Sequence, residues 1–286
     1  MRPYFEIVNG VKIPRVGFGV YKIKQDQNFD KTIIEAIQAG YRHFDTARIY
    51  GNEEALGNVI RNSGIAREEF FLTSKVWTTD LGYEETLRAF EKSCRKLNTS
   101  YLDMYLIHFA GPRFIESWKA IEKLYTEGKI KVIGTANFEI EHFEQLKKQT
   151  KIMPMINQIE THPGFQQQKL REYMSQHQIL HEAWGPLGQG NKSLLENETL
   201  QKIANRHQKT VGQIILRWHL HRDTIVIPKS SNPRRIKENI DVFVFSLSEE
   251  EMGQIAALDS GKRYAVNPKG FQINPIYVGL TKLFLK

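Results

Sequence analysis

The chain has 286 residues, 41% of them hydrophobic and 25% charged, which is the make-up of a globular protein with ample core. One cysteine excludes an internal disulfide framework, and no apolar run approaches the roughly 18 residues of a membrane span. The formal charge of +8 does not point to nucleic acid, because Lys and Arg are scattered among Asp and Glu along most helical stretches.

Residues 5–15 read as a β-hairpin about Asn9-Gly10, a strong turn signal. Met1-Arg2-Pro3-Tyr4-Phe5-Glu6 ahead of it lacks the apolar core of a signal peptide, so a cytoplasmic protein is expected. From there, strand and helix patterns alternate without a linker or low-complexity segment. The strand patterns are 16–20, 42–45, 70–76, 102–108, 130–135, 153–159, 179–184 and 224–228. Helical patterns cover 29–39, 52–62, 83–97, 113–127, 139–149, 166–177, 197–221 and 233–239, several of them stopped by glycine at 40, 64 and 128. A further helix is expected near 248–258, followed by a tail to Lys286. Eight strand-plus-helix units predict an α/β protein, a (β/α)8 TIM barrel with an N-terminal β-hairpin and a C-terminal extra helix and tail. One domain, 1–286, is expected, with the barrel over 16–240 and the extra helix and tail over 241–286. Cys94 shares helical spacing with Leu87, Phe90 and Leu97 and reads as a buried structural thiol.

Three consecutive strand ends carry candidate chemistry, at the place where such barrels keep it. Asp45 closes the second strand and Tyr50 follows it; Lys75 lies near the end of the third and His108 ends the fourth. A lone Asp–Lys pair is ordinarily a rim salt bridge, but Tyr50 and His108 have no evident core role. Lys75 beside Tyr50 would stabilise tyrosinate and pull the tyrosine pKa down from about 10. Asp45 would hold Lys75, and His108 would hydrogen-bond the oxygen that Tyr50 protonates. The set describes protonation of a carbonyl oxygen while another group attacks its carbon.

Asn137 and Gln158, at the ends of the fifth and sixth strands, form an amide pair able to bind a carboxamide, and Trp184 at the end of the seventh offers a flat face for a ring. After the eighth, Lys229, Ser230, Ser231, Arg234, Arg235 and Lys237 lead into a helix N-terminus, an anion site suited to the phosphate of a small molecule. Metal chemistry gains little support. His181-Glu182 lacks the second histidine of the zinc motif, and His219 and His221, two apart on a helix, read as solvated or capping residues. Gly17-Phe18-Gly19 is not a dinucleotide-binding fingerprint.

With these motifs in view, the chain resembles the aldo-keto reductase superfamily over about residues 5–260. It is most similar to the bacterial group that holds 2,5-diketo-D-gluconate and glyoxal or methylglyoxal reductases. Gly40 to Glu53, Leu72-Thr73-Ser74-Lys75, Tyr105-Leu106-Ile107-His108, Asn157-Gln158-Ile159-Glu160 and Ile227-Pro228-Lys229-Ser230 carry the likeness. The resemblance implies a monomeric enzyme that uses NADPH/NADP+ to reduce small carbonyl compounds, with Asp45, Tyr50, Lys75 and His108 as its catalytic tetrad. It further implies Asn137 and Gln158 at the carboxamide, Trp184 stacked on the nicotinamide and Leu187 in the cofactor site. Lys229, Ser230 and Arg235 fall at the 2′-phosphate, Glu238 and Asn239 at the adenine, and Ser231 in the same cofactor site. Ala136 stands where the family often has serine, and Trp184 where it usually has tyrosine. Tyr21, Trp77 and Phe109, with Phe271 of the tail, are the expected pocket walls. The fold also admits an auxiliary subunit with regulatory cofactor binding, or a Schiff-base aldolase using Lys75.

Overall fold

The computed structural model describes residues 3–265 except 8, 24 and 25, together with 267 and 268. Strands β1 (Tyr4–Glu6) and β2 (Lys12–Pro14) pair antiparallel, and Gly10 takes the positive φ of 78° that the connecting turn requires. Eight parallel strands follow: β3 (Phe18–Gly19), β4 (His43–Asp45), β5 (Phe71–Val76), β6 (Leu102–Ile107), β7 (Ile130–Ala136), β8 (Ile156–Glu160), β9 (Leu180–Trp184) and β10 (Thr224–Val226). Each is bonded to the next in sequence. The first and last then meet through a parallel Val16–Val226 bridge, where Gly17 N–H donates to Val226 O at 2.8 Å and Val226 N–H to Arg15 O at 3.0 Å. That bridge closes the sheet into the expected barrel.

Helices α1 (Gln27–Gln38), α2 (Glu53–Arg61), α3 (Tyr83–Lys96), α4 (Phe114–Thr126), α5 (Ile140–Gln149) and α6 (Gln168–Gln176) lie between the strands. They are followed by α7 (Lys192–Leu195), α8 (Glu198–His207), α9 (Val211–His221), α10 (Pro233–Ile240) and α11 (Glu249–Ala256). Their apolar faces and the outward strand residues make one large buried layer that includes Trp118, Phe143 and Leu216. At Gly57 the α2 backbone comes so near α3 that a Cβ would lie 2.6 Å from the Leu97 Cα, so only glycine fits.

Inside the barrel, Ile13, Phe71, Met104, Leu106, Val132, Ala136, Ile156 and Ile225 form a separate cluster, with Phe5, Ile7 and Val11 of the hairpin packed against it. The hairpin therefore stoppers the end where the strands begin. The opposite end is left to polar residues.

The expected helix over 197–221 is two helices. Gln208 turns to φ 53°, and Thr210 starts α9 with a capping box in which its hydroxyl and the Gln213 side chain satisfy each other's backbone N–H. Periodicity ran through the break because both helices bury the same kind of face. The eighth strand ends at Val226 rather than 228, and the sixth starts at Ile156 rather than 153. Cys94 is buried, and burial pushes its thiol up to about 12. His219 is fully buried rather than solvated, because α9 is enclosed on both sides. His221 is partly buried, and its Nε2 accepts Leu247 N–H at 3.3 Å, a contact between α9 and the segment ahead of α11 rather than a helix cap. Phe271 lies outside the described residues.

Candidate active site

Asp45, Lys75 and His108 reach the open end of the barrel because each stands within one residue of the end of its strand. Lys75 Nζ donates to Asp45 Oδ1 at 2.6 Å and to the Thr46 carbonyl at 2.9 Å. Tyr50 is supplied by a single 3-10 turn, Arg48–Tyr50, directly after β4. That turn is pinned from both sides. Arg48 is paired with Asp80, while Asn52 accepts from Thr46 Oγ1 at 2.7 Å and donates to the Val20 carbonyl at 3.0 Å. Tyr50 and His108 meet edge to face with centroids 5.7 Å apart, and Lys75 Nζ lies 5.2 Å from the centre of the Tyr50 ring. The structure brings all four candidates together.

Their electrostatics differ from expectation in one respect. The Tyr50 pKa lies well above its ordinary value, first through burial, then through Asp45 and Tyr21. The expected net lowering by Lys75 is not seen, because burial and the Asp45 charge outweigh that ammonium, which is bonded to Asp45 and the Thr46 carbonyl. His108 moves the other way. Burial, then Lys75, hold it well below the usual histidine range, so its ring is neutral at physiological pH. The site thus contains a protonated phenol beside a neutral imidazole.

Around this pair stand aromatic rings. Tyr21, 49% exposed, lies 4.8 Å from the Tyr50 ring; Trp77 lies 5.0 Å from His108, and Phe109 stacks on His108 at 5.1 Å. The three expected wall residues converge on Tyr50 and His108.

Asn137 adopts φ 62°, a left-handed conformation that asparagine tolerates. Its Nδ2 donates to the His108 carbonyl at 3.0 Å, and its Oδ1 accepts the Trp184 indole N–H at 2.9 Å. Gln158 is nearly fully buried and donates Nε2 to Asp45 Oδ2 at 2.8 Å. Both amides thus brace the proton-transfer set, a role the sequence reading did not include. Leu187 is half-buried between two apolar clusters.

Past β10, Asn232 caps α10 by accepting Arg235 N–H at 3.2 Å, and Ser230 Oγ accepts Asn232 N–H at 3.0 Å. Arg234 is spent on Glu238 at 2.6 Å. Lys229, Ser231, Arg235 and Lys237 are exposed, and Ser230 and Asn239 are buried.

One residue in this region went unread beyond the missing zinc motif. Glu182 is wholly buried inside the barrel. Strand alternation carried the signal, because Glu182 lies two residues before Trp184 and so shares its face, one layer deeper.

The closed parallel barrel thus gathers Tyr50, His108, Lys75 and Asp45 at its C-terminal mouth, an arrangement able to pass a proton to a bound oxygen. The sequence profile of the Aldo/keto reductase family matches residues 15–260, and the chain belongs to that family of oxidoreductases. It is 49% identical over 261 residues to the glyoxal reductase of Bacillus subtilis, covering 91% of this chain and 94% of the relative. Among solved structures it resembles an aldo/keto reductase from Brucella melitensis, with TM-score 0.86 and 49% identity over 91% of this chain and 100% of the other. It also resembles the Bombyx mori aldo-keto reductase in complex with NADP, with TM-score 0.89 and 32% identity over 97% and 99% of the two chains.

Proposed function

We propose that this protein reduces small aldehydes and dicarbonyls to alcohols with NADPH, and that Tyr50 gives the proton. The division between Tyr50 and His108 carries the assignment of roles. Tyr50 keeps its proton across physiological pH, whereas His108 is neutral and has no imidazolium proton to give. Tyr50 is therefore the acid, and His108 is a hydrogen-bond donor that orients the same carbonyl oxygen. Lys75, fixed by Asp45, lies over the ring that becomes tyrosinate and offsets the charge as it forms.

The residues present fit the cofactor. Lys229 in the loop after β10 and Arg235 in the first turn of α10 stand exposed, a point charge and a fork suited to a 2′-phosphate, and the half-buried Trp184 has an indole face suited to a ring. When bound there, the nicotinamide supplies the hydride for the carbonyl carbon. The aromatic rim around Tyr50 offers few polar anchors, which suits small carbonyls. The name of the Bacillus subtilis relative, glyoxal reductase, favours the same class.

Steady-state NADPH oxidation with glyoxal, methylglyoxal and simple aromatic aldehydes tests the reading. Tyr50→Phe is expected to lose at least about 10²–10⁴-fold in kcat, the usual worth of general acid catalysis, while still binding NADPH in a tryptophan-fluorescence titration. A variant keeping most of its kcat would show that the acid is another group.

A further inference from the structure

Beneath the proton-transfer set the barrel holds a carboxyl group that the mechanism above does not use. Glu182 of β9 has no exposure to solvent, and neither of its oxygens accepts a hydrogen bond of ordinary geometry among the described residues. Facing it are His43 and Asp45 of β4, Lys75 of β5 and Gln158 of β8, while its register partner on β10 is the apolar Ile225. None of these neutralises it. His43 Nε2 is 3.8 Å from Oε1, but burial draws that imidazole down to about 4, so it is uncharged. Lys75 is already bonded to Asp45. Gln158, opposite Glu182 in the parallel ladder, directs its Nε2 to Asp45 Oδ2 at 2.8 Å. A carboxylate at such a place would be a buried charge with no close counter-ion, which is costly, so the group is stable as the neutral acid.

We propose that Glu182 is a positioning residue of the reduction, held as a neutral acid in the layer beneath Asp45, and that loss of its proton turns down proton donation by Tyr50. The link runs through Gln158 and Asp45. Asp45 already strengthens the hold of Tyr50 on its proton. A second anion beside Asp45 would leave the Asp45–Lys75–Glu182 group with a net negative charge, and Tyr50 would become a weaker acid still. The proton that Glu182 loses goes to solvent, and no other bond changes. Burial first and Asp45 second push Glu182 up to about 8, against the pull of Lys75 and the Gln158 amide, so the change falls just above neutral pH.

This inference rests on the reductase reading, and its test separates the two. In wild-type enzyme saturated with NADPH and methylglyoxal, kcat for reduction is expected to fall about tenfold as pH rises through 8, equivalent to about one pKa unit in the donor. Glu182→Gln, an uncharged isostere of the acid form, should match the wild type near pH 6.5 and lose that alkaline fall. Glu182→Asp, which can still ionise, should retain a fall at a shifted pH. A merely structural role would lower kcat by a similar factor at every pH. Infrared difference spectra of the wild-type protein should show a protonated-carboxyl C=O band that disappears with a midpoint near pH 8. That measurement needs no variant that might fail to fold. An alkaline limb unchanged in Glu182→Gln, or no titrating band, would overturn the proposal while leaving the reductase reading intact. Wild-type protein with no NADPH-dependent reduction at any pH would overturn that reading and the kinetic part of this one together.

Discussion

Lys75 and Asp45 form a 2.6 Å ion pair whose side chains are almost wholly excluded from solvent. The other Asp45 oxygen is held by Gln158, so the carboxylate is gripped from two strands. Such a pair is a poor source of stability, but removing half of it strands a charge. Lys75→Met is therefore expected to cost roughly 3–5 kcal/mol in urea unfolding. The double variant Asp45→Asn with Lys75→Met should recover part of that loss. Simple addition of the two single losses would mean that the pair is not coupled as its geometry says.

Glu182 carries a stability consequence separate from its kinetic one. Its pKa, ordinarily 4.5, is about 8 in the fold, so between those values the folded state binds more protons than the unfolded chain. Stability contributed by this group accordingly falls as pH rises from 4.5 to 8, with a limiting slope of about 1.4 kcal/mol per pH unit. Glu182→Gln has no such slope. Its melting temperature relative to wild type should climb between pH 5 and pH 8, and a constant difference across that range would contradict the protonation assigned to Glu182.

Arg235 is exposed at the start of α10, with its backbone N–H held by Asn232 and no side-chain bond from its guanidinium among the described residues. Arg235→Ala should weaken NADPH binding by roughly 1.5–3 kcal/mol, as for one hydrogen bond to a charged group. NADH, which lacks the 2′-phosphate, should hardly respond. Equal weakening of both cofactors in fluorescence titrations would remove Arg235 from the phosphate site.

The rim of the mouth is short. Between His108 and α4 lie only residues 109–113, and after Pro186 a 3-10 turn, Gly188–Gly190, leads almost at once into α7. With walls of Tyr21, Trp77 and Phe109, small dicarbonyls and aldehydes should turn over with modest affinity and bulky steroid ketones poorly. A micromolar KM for a steroid ketone, beside negligible turnover of methylglyoxal, would refute this account of the rim.

The barrel was legible because its signals are local. Apolar runs bounded by glycine and turn residues mark a strand or a helix wherever they occur, and eight alternations leave few other ways to bury them. The site was legible for a related reason. Asp45, Lys75, His108, Asn137 and Trp184 stand at or next to strand ends, and in a closed parallel barrel every strand ends at the same mouth; Gln158, expected at the end of its strand, lies in the middle of β8 and reaches Asp45 from one layer deeper. The break between α8 and α9 was written in Thr210 and Gln213, but an unbroken apolar period masked it.

Order along the chain therefore determined the architecture, the mouth at which the polar residues gather, and the chemical types available there. What each group does with its proton was decided only in three dimensions. Tyr50 lies beyond its ordinary pKa, His108 below it, and Glu182 is held as an acid, because strands far apart in sequence exclude water from them and set Asp45 and Lys75 among them. Desolvation and Coulomb forces depend on distance in space, and that distance does not exist until the sheet has closed.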